Sequence, residues 1–135
     1  MPVNLTVAQR IRDDILSADN RILAVSLIDM EGDILAAKSK QSFKETFGVT
    51  ADGEKYGGTL AVATLSLVNE VKDVVGNPQA IITIHSNCKL MLLPISSYKI
   101  LVGLVLERSV NVEDDNFAKK IEKLIADRYD AKLIQ

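Results

Sequence analysis

The chain has 135 residues, 47% of them apolar and 25% charged, enough for one domain with a real core and too apolar for disorder. The formal net charge of -2, with no Lys/Arg block, gives no electrostatic bias toward nucleic acid or an anionic membrane. A single cysteine, Cys88, excludes an internal disulfide framework and suits a reducing compartment.

The N-terminal MPVNLTVAQRIRDD has no basic region followed by an apolar one, so it does not read as a signal peptide. No apolar run reaches the roughly 18 residues of a membrane-spanning helix. The expectation is a cytoplasmic protein. Thr6 and Gln9 have capping-box spacing, and Ala8, Ile11, Ile15 and Leu16 form one apolar stripe, which predicts a first helix ended at Asp19-Asn20.

Arg21 to Asp29 reads as a strand, β1, and Ile34 to Lys38 as its return, β2. Met30-Glu31-Gly32-Asp33 between them is turn chemistry, with Gly32 free to take positive φ. Residues 40–57 are the least regular part, with Phe43 and Phe47 spaced for one helical turn. A connection this long is often mobile or functional.

Thr59 to Val75 predicts a central helix stopped by Gly76 and Asn77-Pro78. Leu60, Ala63, Leu67, Val71 and Val74 share one face, and Ala61, Leu65, Val68 and Val75 widen it to an arc of roughly 200°. Covering one sheet face takes about half of that, so the excess requires another surface.

Gln79–His85, Cys88–Ile95 and Tyr98–Leu106 read as β3, β4 and β5, with turns at Ser86-Asn87 and Ser96-Ser97. Pro94 cannot donate a ladder bond and belongs at a strand end or bulge. Phe117 to Leu133 predicts the last helix, with Phe117, Ile121, Leu124, Ile125 and Arg128 on one side and Asp114 and Asp115 at its positive end. The order α-β-β-α-β-β-β-α, with short turns inside each strand group, predicts a five-stranded antiparallel sheet with helices on both faces.

Leu27 to Ala36, LIDMEGDILA, together with this element order, resembles the roadblock/dynein light chain family, whose first hairpin commonly reads apolar-apolar-Asp-x-x-Gly-x-apolar-apolar. The resemblance continues through the helix Leu60–Val75 and AIITIHSNCKLMLLPI, and covers about Leu5 to Tyr129. Two departures stand out: the long Phe43–Gly58 connection, and Ser86-Asn87 in place of an Asp/Gly-rich turn. They fit a divergent prokaryotic roadblock-like branch or a different profilin-like protein. The resemblance implies a single domain over 1–135 and an α+β three-layer sandwich. Its sheet order would be β2-β1-β5-β4-β3, with the first and last helices on one face and the central helix on the other.

It also implies a non-enzymatic homodimer, with no cofactor, that scaffolds or regulates a small Ras-like GTPase. The dimer would join through the central helix and the β3 edge. Leu65, Val68, Lys72 and Val75 would meet there with Ile82, Thr83, Ile84 and His85. An alternative is a small-molecule sensor in which residues 43–58 lid a pocket.

Other chemistry is weaker. His85, Cys88 and Met91 form a soft-ligand set, but zinc sites normally show clearer Cys/His pairs. Cys88 with His85 as base lacks a third orienting group. Asp29, Glu31 and Asp33 are carboxylates of a hairpin turn, where solvated turn formers are the rule. The glycines at 53, 57 and 58 do not have P-loop spacing. Lys119, Lys120 and Lys123 read as a solvated helix face that an acidic partner would also fit. The expectation is no catalytic or metal site.

Overall fold

The computed structural model describes residues 4–43, 66, 69–111 and 116–129. Helix α1 spans Leu5–Ala18. Its cap is Asn4 rather than the Thr6–Gln9 box: Asn4 Oδ1 accepts from the N–H groups of Thr6 (3.1 Å) and Val7 (3.2 Å). Those donors are orphaned by the helix start, and an Asn side chain two and three residues before them satisfies both. Thr6 is therefore inside the first turn. Val7, Ala8, Ile11, Ile15 and Leu16 are buried, the stripe the spacing predicts.

Strand β1 (Ile22–Asp29) pairs antiparallel with β2 (Ile34–Ser39). The pairing steps from Leu27–Ala36 to Ile28–Ile34, leaving Leu35 as a bulge. In the turn, Asp29 Oδ1 accepts the N–H groups of Glu31 and Asp33, each at 2.9 Å, and Gly32 sits at φ 96°. The side chain of Asp29 thus builds the reversal, and Gly32 supplies the one backbone conformation that L residues rarely adopt.

The short helix α2 spans Lys72–Val75 and ends at Gly76, φ 89°, whose N–H bonds to the Lys72 carbonyl at 2.7 Å. Ser66 and Asn69 are also helical, but Glu70 and Val71 form a turn, so the predicted run to Val75 is interrupted there. The rest of that predicted helix, Phe47 and most of the 43–58 connection lie outside the described residues, as do Asp114 and Asp115.

Strand β3 covers Ile81–Ile84, shorter than the predicted Gln79–His85 because it pairs only with Lys89 to Leu92. Strand β4 is Cys88–Ile95, as predicted, with Pro94 one residue from its end and past the last β3 pair. A 3-10 turn over Ser96–Tyr98 and Lys99 at φ 55° delay β5 to Ile100–Glu107. Helix α3 runs Phe117–Arg128; Tyr129 is already extended, so it stops short of the predicted Leu133.

The sheet order is β2-β1-β5-β4-β3, all pairs antiparallel. Helices α1 and α3 pack on one face, over Val25, Leu27, Met91, Leu93, Val102, Leu104 and Leu106. The opposite face carries a smaller buried cluster, Ile28, Leu92 and Leu101, with Ile34 and Ile81 against it. Both faces are therefore covered, as the two-sided pattern of β5 requires.

Polar ties hold α1 and α3 together. Asp19 caps α1, accepts the Arg21 N–H at 2.8 Å, and receives the Arg21 guanidinium at 3.0 and 2.9 Å and Lys120 Nζ at 3.3 Å. The Arg21 fork, ahead of burial acting the other way, holds the Asp19 carboxyl well below the usual carboxylate range. A depressed folded value stabilises fully above the unfolded value, near 3.9, and that contribution is lost as pH falls through the folded one. Asp19→Ala should cost about 1–3 kcal/mol in urea unfolding at pH 7, leaving Arg21 N–H without its acceptor. The gap to wild type should narrow below about pH 4.

At the other end of α3, Tyr129 Oη donates to Asp14 Oδ2 at 2.5 Å, Arg128 lies 3.4 Å from the same carboxylate oxygen, and Tyr98 Oη donates to the Tyr129 carbonyl at 2.5 Å. Arg128, placed on the apolar side by spacing alone, is instead 57% exposed and ion-paired. Burial, then the Asp14 carboxylate, pushes the Tyr129 phenol up to about 12. The raised value favours the neutral phenol, so its contribution is present below about pH 10 and lost as pH rises through 12. Tyr129→Phe should unfold at lower urea at pH 7, by about 1 kcal/mol, and lose less between pH 10 and 12 than wild type does.

Candidate functional site

Strand β3 is an outer strand of the sheet, hydrogen-bonded on one side by β4. Among the described residues nothing pairs with its other side, which leaves a template for another strand. The opposite edge, β2, carries devices that blunt such pairing: the Leu35 bulge and the exposed Lys38, near Asp13. Strand β3 holds only Ile81, Ile82, Thr83 and Ile84, none of them charged.

The register fixes which way each side chain points. Ile82 pairs with Met91, which is buried under the α1/α3 layer, so Ile82 and Ile84 stand on that side. Ile81 packs with the Ile28–Leu92–Leu101 cluster on the other side, where Thr83 also stands. Thr83 Oγ1 lies 2.9 Å from His85 Nε2, which puts His85 on the Thr83 side. Ile82 is 36% exposed and Ile84 is 64% exposed.

Separated from β3 by five residues, α2 exposes Val74 and Val75, 88% and 71%, and Val71 just before it is also exposed. Val71 and Val74, which share one apolar face by spacing, are open, as is Val75 on the wider arc. The surplus of apolar surface at this end of the helix is thus larger than the arc predicted, and the chain itself does not bury it. Of the predicted interface residues, Lys72, Val75, Ile82, Thr83, Ile84 and His85 are all exposed. Leu65 and Val68 lie outside the described residues.

The alternative chemical groupings separate. Met91 is buried on the α1/α3 side, while Cys88, an odd number of residues away on the same strand, faces the other side, so the His85–Cys88–Met91 set does not converge. Burial pushes the Cys88 thiol up, opposite to the shift that activates a nucleophile. Asp29, Glu31 and Asp33 bring their carboxylate oxygens within 4.8 Å of one another, with one Asp29 oxygen taken by two backbone N–H groups. Lys120 is ion-paired with Asp19, while Lys119 and Lys123 are exposed. Among the described residues no helix is long and apolar enough to cross a membrane.

No protein-family model matches the sequence, and no curated protein matches it. Solved structures do. A Roadblock/LC7 domain from Streptomyces avermitilis is similar at TM-score 0.68 and 10% identity, over 88% of this chain and 92% of that one. MglB from Myxococcus xanthus is similar at TM-score 0.64 and 10% identity, over 94% and 93%. An MglB in a tetrameric arrangement is similar at TM-score 0.65 and 14% identity, over 91% and 90%. Identities this low speak for architecture alone, and the architecture is shared nearly end to end: this chain has a divergent roadblock-like fold.

Proposed function

We propose that residues 1–135 form one roadblock-like domain that acts as a non-enzymatic homodimeric platform in the cytoplasm, binding or regulating a small Ras-like GTPase. The observation that carries the dimer is the β3 edge, which has no charged residue and carries exposed Ile82 and Ile84, with exposed Val71, Val74 and Val75 shortly before it in the chain. An edge of this kind invites uncontrolled pairing unless a defined partner covers it, and a second copy offers the matching edge. Self-association has a parallel in the MglB of similar fold that adopts a tetrameric arrangement. The partner class rests on the resemblance of Leu27–Ala36 and of the element order to the roadblock/dynein light chain family.

The test of the partner is retention of purified small GTPases from the same cell on immobilised protein, each loaded with GDP or a non-hydrolysable GTP analogue. The reading expects one GTPase to bind with an affinity that depends on the nucleotide. Equal failure of all of them in both states would overturn the GTPase assignment and leave the dimer to be judged separately.

A further inference from the structure

We draw no further inference here: the strongest candidate, the Ile82–Ile84 stripe that edge strand β3 presents on the α1/α3 side of the sheet, belongs to the association surface already proposed, and nothing in the structure shows what else covers it.

Discussion

Phe117→Ala should lower the unfolding free energy by about 3–5 kcal/mol, a large share of the 5–15 kcal/mol typical of a domain. Phe117 is 1% exposed and opens α3, with Ile121 and Ile125 buried behind it. Its ring also lies under two cations, Arg21 at 5.2 Å and Lys120 at 5.7 Å, both bound to Asp19. Truncation removes buried apolar surface, leaves a cavity and takes away the ring face at once. Urea unfolding followed by circular dichroism gives the loss directly. Phe117→Leu, which keeps most of the volume, should cost clearly less. Equal costs for the two variants would mean that the cavity contributes little and that the ring, lost in both, carries the effect.

The second large effect is expected at the edge. Val75→Asp combined with Ile84→Asp should convert the proposed dimer to a monomer without unfolding the chain. Both side chains are more than half exposed in the single chain, so the carboxylates remain hydrated there. In the proposed dimer they would be buried without partners, which costs several kcal/mol per charge. Sedimentation velocity should show one species of monomer mass with an unchanged far-ultraviolet spectrum. The two positions stand on different elements, and Ile84 faces the α1/α3 side. Each single variant therefore reports on its own part of the seam. A double variant that still sediments as a dimer would remove these residues from the interface.

Much of the fold is written in local sequence signals. Asp29 and Gly32 specify a tight reversal between two apolar runs, and the structure uses both as the pattern predicts, one through its side chain and one through its φ. Gly76 ends its helix for the same conformational reason. The strand order was reachable only through the family resemblance, since antiparallel neighbours alone do not say that β1 pairs with β5. The misses arise where tertiary context outweighs spacing. Thr6 and Gln9 match a capping box, but the helix starts two residues earlier, where Asn4 accepts the N–H groups of Thr6 and Val7. Arg128 falls on the apolar side by periodicity, yet its charge finds Asp14 at the rim. Tyr98 looks like strand residue by type, whereas its hydroxyl is drawn to the Tyr129 carbonyl and the backbone turns under it.

The candidate interface was legible in part. The apolar excess of the central helix and the β-branched character of β3 both pointed to a covered surface, and both are exposed where described. The sequence reading grouped Ile82 to His85 as one patch. Strand alternation divides them between the two faces of the sheet, which the pairing of Ile82 with buried Met91 makes plain.

The most direct test of the account is the solution mass by light scattering over a dilution series from high to low micromolar. The account predicts twice the 14.8 kDa chain mass throughout, because a β3 edge and an apolar helix end with no other cover among the described residues should stay paired. A monomer mass at every concentration would contradict it, leaving the exposed valines and isoleucines to some partner other than a second copy.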